Sequence, residues 1–183
     1  MRIVKKIAAY GLIILAILVL MGLALPESVQ LERSITIQRP AATIYNTLID
    51  LSTFNSWSPW ARRDPNIQYR FEGPSHGTGA RLSWRSDNPE VGSGTQEIIS
   101  SEKDRHITIA LTFDDEANAN SFFHIQPVEN GCKVIWGFDT RFGYNIVARY
   151  FGLMIADWVG KDYESGLGNL KSLLENQTEQ TAE

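Results

Sequence analysis

Residues 121–141, SFFHIQPVENGCKVIWGFDTR, carry the reading that decides the fold. Phe123 and Ile125, then Val134, Trp136 and Phe138, recur at every second position, the period of a half-buried strand. Between the two runs stands Asn130-Gly131, a pair suited to the positive φ angles of a tight hairpin turn. Two antiparallel strands follow from this stretch alone. Upstream, the same strand chemistry returns in Ile67 to Phe71, Ala80 to Ser86, Thr95 to Ser101 and His106 to Phe113. Gly73-Pro74, Gly77 and Gly79, Asn88-Pro89 and Lys103-Asp104 separate these segments, and Asp114-Asp115-Glu116 reads as a solvated hairpin tip. The middle of the chain is therefore an antiparallel meander. Its inward positions by alternation are bulky: Tyr69 and Phe71, Leu82 and Trp84, then Ile107, Ile109, Leu111 and Phe113.

Downstream the period changes. From Asn145, a suitable N-cap, the residues Val147, Phe151, Met154, Trp158, Leu167, Leu170 and Leu174 recur at helical intervals and predict a long C-terminal helix. Gly152, Gly160, Gly166 and Gly168 each cost such a helix about 1 kcal/mol relative to alanine, which predicts a kink or break before Lys161. Residues 176–183 are polar without periodicity and read as a disordered tail. Ahead of the meander, Leu31, Ile35 and Ile37 mark a first strand near Leu31, with Arg33 interrupting its apolar side. Pro40 followed by Ile44, Tyr45 and Leu48 marks a short helix, and Phe54 to Trp60 a second one that ends in a loop at Pro59.

The N-terminal segment has a different solvent. Residues 7–25 are apolar, glycine or the single Tyr10, about the ~20 residues needed to cross a ~30 Å hydrocarbon core. Arg2, Lys5 and Lys6 give residues 1–6 a basic character, and the positive-inside rule keeps them in the cytoplasm. The domain, residues 31–175, is then expected on the outer, periplasmic or extracellular, side, joined by a short linker over 26–30 that holds it near the bilayer. A cleaved signal peptide is the competing reading, with Gly22-Leu23-Ala24 as a small-x-small site, but the apolar run exceeds an ordinary signal core.

Several short motifs share one order along the domain. Trp57-Ser58-Pro59-Trp60, Asp64-Pro65, Gly79 with Trp84, Gly92-Ser93-Gly94-Thr95-Gln96, Gly131 with Trp136, and Asp162-Tyr163-Glu164-Ser165-Gly166-Leu167 with Leu170-Lys171 resemble the polyketide cyclase/dehydrase branch of the SRPBCC (START/Bet v 1-like) superfamily. The resemblance covers about Leu31 to Glu175. It implies an α+β helix-grip fold, a curved antiparallel sheet wrapped around a long C-terminal helix, here preceded by one transmembrane helix. It also implies a cavity between sheet and helix, because members of the superfamily carry or sense hydrophobic ligands and some are cyclases or hydrolases.

On that expectation the inward aromatic set becomes a candidate ligand lining: Trp57, Trp60, Tyr69, Leu82, Trp84, Ile109 and Leu111 from the first half, and Phe113, Phe123, Ile125, Trp136, Phe138 and Trp158 from the second. Such a lining binds by excluding water, at about 25 cal/mol per Å² buried. The expected partners are a hydrophobic small molecule or lipid, and the membrane itself through the anchor. A solid core is the bland alternative.

Charge and motif content exclude other classes. The net charge of −4 includes three cations ahead of the domain, so the remainder carries about −7, and its arginines form no stripe of the kind nucleic acid needs. Cys132 stands alone, no metal-ligand spacing occurs, and Gly92-Ser93-Gly94 fails as a dinucleotide fingerprint because Glu97 holds the third glycine position. No cofactor is expected. An enzyme would have to draw on His76, His106, His124, Glu97, Asp139 and Arg141, with Glu97 beside Asp139 or Arg141 as the pair to look for inside the cavity. A non-catalytic interaction module would instead present a large exposed apolar patch.

Overall fold

The hairpin expected at Asn130-Gly131 is present, with Glu129 and Asn130 as its turn and Gly131 opening the second strand. The computed structural model describes residues 2–113 and 117–176; the acidic stretch 114–116 and the tail from 177 lie outside the described residues. Strands β6 (Ala117–Val128) and β7 (Gly131–Arg141) pair antiparallel, with Phe123 opposite Trp136 and Ile125 opposite Val134. Gly131, at φ +120°, takes the backbone conformation that side chains disfavour. On one side β7 pairs with β1 (Ser28–Ile37), placing Leu31 against Phe138 and Ile35 against Val134. On the other side the meander continues through β5 (His106–Phe113), β4 (Ser93–Glu102), β3 (Arg81–Arg85) and β2 (Gln68–Glu72). The described strands form one seven-stranded antiparallel sheet in the order β1-β7-β6-β5-β4-β3-β2. Strand β1 begins at Ser28, earlier than its apolar alternation, because backbone pairing with β7 extends to Arg141.

Helices close the curved sheet. α1 (Arg2–Ala24) stands before it, α2 (Ala41–Ile49), α3 (Phe54–Trp57) and α4 (Pro59–Arg63) follow β1, and α5 (Ile146–Asn176) lies across the concave face. This is the helix-grip arrangement. Its core is continuous, with Ile37, Ile44, Ile98, Ile107, Val134 and Leu170 fully buried where α2, the sheet and the second half of α5 meet. The far end of α5 is pinned to the residues that follow β1: Arg39 donates to the carbonyls of Leu174 and Glu175, and the Glu175 carboxylate accepts from the Gln38 N–H at 2.8 Å.

The glycines of α5 do not break it, contrary to the expected interruption before Lys161. The helix runs unbroken for 31 residues. Three of its glycines lie where neighbours press against the axis: a Cβ at Gly152 would strike Phe142, at Gly160 the Arg33 guanidinium, and at Gly166 the Trp136 ring. The two oddities of the sequence, a cation on the apolar side of β1 and a glycine in mid-helix, are one contact. Arg33 passes over Gly160 to reach Glu164, at 2.6 Å. Packing against the sheet outweighs the ~1 kcal/mol per glycine that would loosen an isolated helix.

Candidate functional site

Between α5 and the sheet lies a cavity of about 230 Å³. Local chain geometry explains how its roof is made. Ser58 is extended (φ −58°, ψ 130°) as residues before proline must be, so α3 stops and Pro59 starts α4 in a new direction. The bend brings Phe54, Trp57 and Trp60 over the sheet, where Trp57 meets Trp136 edge-on at 5.3 Å between ring centroids. The floor comes from the inward faces of β3 to β7: Leu82 and Trp84, Gln96, Ile109 to Phe113 at odd positions, Ser121 and Phe123, Trp136 and Phe138.

One wall is a rigid polar seam. Tyr163 of α5 stacks on Trp136 with centroids 3.7 Å apart and planes 10° from parallel. Ser121 has one proton, given to the Gly137 carbonyl at 3.1 Å, so its oxygen accepts from Trp136 Nε1 at 2.8 Å and from the Tyr163 hydroxyl at 3.2 Å. Burial pushes the Tyr163 phenol far above its usual range, with the Ser121 and Trp136 contacts opposing this only in part. Tyr163 is thus a neutral donor whose proton is already committed.

Among the described residues, three other buried polar groups of the lining have no partner. Trp57 Nε1, Ser58 Oγ and Gln96 Nε2 sit in residues only 3, 2 and 5 % exposed. Charged lining residues are acidic and occupied elsewhere where partners are found: Asp162 pairs with Arg63, and Asp50 accepts from the Ser52 N–H and hydroxyl.

The structure brings eleven of the thirteen sequence candidates to this one cavity: Trp57, Trp60, Tyr69, Leu82, Trp84, Ile109, Leu111, Phe113, Phe123, Trp136 and Phe138. Two need correction. Ile125 is buried in the core but does not line the cavity, since it lies two residues beyond Phe123 along β6. Trp158 is 53 % exposed, because helical spacing put it in register with Val147, Phe151 and Met154, which all face away from the sheet. Phe71, read as inward, is likewise exposed on edge strand β2. Gln96 and Ser121 add polar groups to the lining that apolar alternation does not mark, although each holds an inward position: Gln96 two residues before Ile98, Ser121 two before Phe123.

The acid/base pair sought for an enzyme is not assembled. Glu97 accepts from Arg81 at 3.0 Å on the neighbouring strand, Asp139 accepts from Asn120 at 3.1 Å, and Arg141 is exposed at the end of β7; none lines the cavity. His76 contacts Ser75 in an exposed turn, while His106 and His124 face each other across β5 and β6 with 3.0 Å between their Nδ1 atoms, opposite in parity to Ile107 and Phe123. Among the described residues no cluster of three metal-ligating side chains forms.

A long helix gripped by a curved antiparallel sheet, with a largely apolar space between them, is the helix-grip fold. The chain belongs to the polyketide cyclase/dehydrase and lipid transport family, whose model matches residues 28–175. A comparison with curated protein sequences finds no match. Solved structures share the fold at low identity. A Staphylococcus aureus protein of unknown function, SA2116, superposes with a TM-score of 0.63 at 12 % identity, covering 84 % of this chain and 97 % of that one. Norcoclaurine synthase of Thalictrum, solved with a transition-state analogue, gives 0.62 at 9 %, covering 82 % and 96 %. A Thermobifida fusca protein gives 0.59 at 18 %, covering 80 % and 93 %.

Proposed function

We propose that the protein is a membrane-anchored binding protein that holds a compact, largely apolar molecule carrying one hydrogen-bond-accepting group. The observation that carries this reading is the pairing of an aromatic cavity with three buried polar groups that no atom of the described residues satisfies. Leaving such a group unmet costs about 1–3 kcal/mol, which a ligand oxygen near Trp57 and Gln96 recovers. The volume sets the size: about 230 Å³ lies just below the ~300–1,000 Å³ of drug-sized sites, so a one- or two-ring molecule or a short acyl chain fits better than a whole phospholipid. The charge sets the acceptor. Asp162 is neutralised by Arg63, but Asp50 and Glu90 also line the cavity and repel a carboxylate, which favours a neutral carbonyl, ether or hydroxyl. The apolar helix α1, 23 residues long, supplies the anchor.

The test is extraction. The full chain, purified in membrane discs, is treated with organic solvent and the released small molecules are identified by mass spectrometry. Leu111→Trp, which fills the cavity from β5, provides the comparison. A compound enriched with the wild type and lost with the variant supports the reading; identical profiles from both proteins refute it.

A further inference from the structure

The first three turns of α5 carry an apolar face that the grip does not use. Val147, Phe151, Met154 and Trp158, spaced four, three and four residues apart, run in one line down the helix and are 66, 53, 41 and 53 % exposed. Tyr144, 91 % exposed, precedes them. Gly152, Val159 and Gly160, on the opposite side, turn toward the sheet. An unbroken apolar stripe of this length on a folded domain marks a contact surface.

What covers it follows from its neighbour. The last turns of α1 pack on the first turns of α5, where a Cβ at Gly22 would strike Ile146 and lie 2.9 Å from the Tyr150 ring. The Tyr150 hydroxyl donates to the Leu18 carbonyl at 2.7 Å. Arg149, itself buried, donates to Gly143, Leu23 and Leu25 carbonyls at 2.8, 2.9 and 3.0 Å and so closes the C-terminal end of α1. The anchor therefore does not swivel freely on the domain. Leu18 lies six residues before the end of α1, about 9 Å along the axis at ~1.5 Å per residue. That is the reach of the Tyr150 hydroxyl; the helices themselves touch at Gly22, two residues or about 3 Å from the end of α1, so the first turns of α5 sit at the level where the spanning segment leaves the hydrocarbon core.

We propose that the Val147 to Trp158 face of α5 lies in the bilayer interface, with lipid acyl chains as its occupant, so that the domain is held against the membrane in one orientation. The proposal rests on the reading of α1 as a spanning anchor. Tyr144 and Trp158, at the two ends of the stripe, are the ring types that concentrate at headgroup depth, and the assignment accounts for the tryptophan that the cavity leaves out.

The experiment uses the full chain in phosphatidylcholine nanodiscs, with a nitroxide on single introduced cysteines: Val147→Cys, Phe151→Cys or Trp158→Cys on the stripe, Ile13→Cys in α1, and Lys133→Cys on β7. Native Cys132 is buried, and an unsubstituted control reports any label it takes. Accessibility to oxygen is compared with accessibility to a water-soluble nickel chelate. Expected is a several-fold excess of oxygen access at the stripe and at Ile13, and the reverse at Lys133. Lipid-like access at Ile13 with water-like access along the stripe overturns the proposal while leaving the anchor standing. Spin–spin broadening at the stripe assigns it to a second copy of the chain, and immobilisation with neither probe reaching it assigns it to packing within the chain; both overturn the proposal. Water-like access at Ile13 overturns the anchor and the interface together.

Discussion

Gly166 and Gly168 stand two residues apart in α5, and the same methyl group is expected to act on them in opposite directions. An alanine in place of a mid-helix glycine gains about 1 kcal/mol through the unfolded chain. At Gly168 a new Cβ meets nothing within 4 Å, so the gain is complete and Tm rises by about 3 °C for a domain of this size. At Gly166 the new Cβ lands 2.7 Å from the edge of the Trp136 ring and 3.2 Å from Pro59 Cδ. Trp136 has no room to retreat, because it stacks on Tyr163 at 3.7 Å and donates to Ser121 at 2.8 Å. Overpacking of this kind costs about 1–3 kcal/mol, and a lost hydrogen bond about 1 more. Set against the helical gain, Gly166→Ala is expected to destabilise by roughly 2 kcal/mol, or about 6 °C. Thermal unfolding of the purified full chain by circular dichroism measures both shifts, and the near-ultraviolet signal reports whether the indole moves. Equal stabilisation by the two variants would show that α5 is not seated on Trp136, and the wall of the cavity would have to be redrawn.

Tyr163→Phe removes only the proton given to Ser121 and is expected to cost about 1 kcal/mol in a denaturant titration; no loss would contradict that hydrogen bond. Gln96→Leu deletes a buried amide nitrogen without a protein partner, so stability should hold or rise by about 1 kcal/mol, while affinity for an acceptor-bearing ligand falls about tenfold. A large drop in stability would show that the amide has a structural partner. His106 is held below its usual pKa, first by burial and then by the facing His124. The folded protein therefore binds that proton less readily than the unfolded chain, and the stability involved is complete above the unfolded value near 6.5 and declines as pH falls through it. His124→Gln should flatten this decline relative to the wild type; unchanged pH dependence would remove the histidine pair from the account.

Period and parity made most of the fold readable. The hairpin lies within one residue of where the turn chemistry put it, with Glu129-Asn130 as the turn and only Gly131 at positive φ, and inward parity gathered the rings from Tyr69 to Phe138, Phe71 excepted, into one cavity. What stayed hidden depends on neighbours. A glycine looks the same whether it breaks a helix or admits a guanidinium, and only the path of Arg33 over Gly160 separates the two. Helical spacing placed Trp158 on one line with Val147 and Phe151, yet it does not say which side of a helix meets a sheet. Gln96 was readable in part, since a polar residue at an inward strand position asks for a partner, but its lack of one is visible only in three dimensions.

The space itself is open to a direct look. A crystal of the protein pressurised with xenon, which enters apolar cavities of about this size, is expected to show an anomalous peak among Leu82, Ile109, Leu111 and Trp136. Density for the protein's own side chains across that volume, with no xenon in it, would contradict the account.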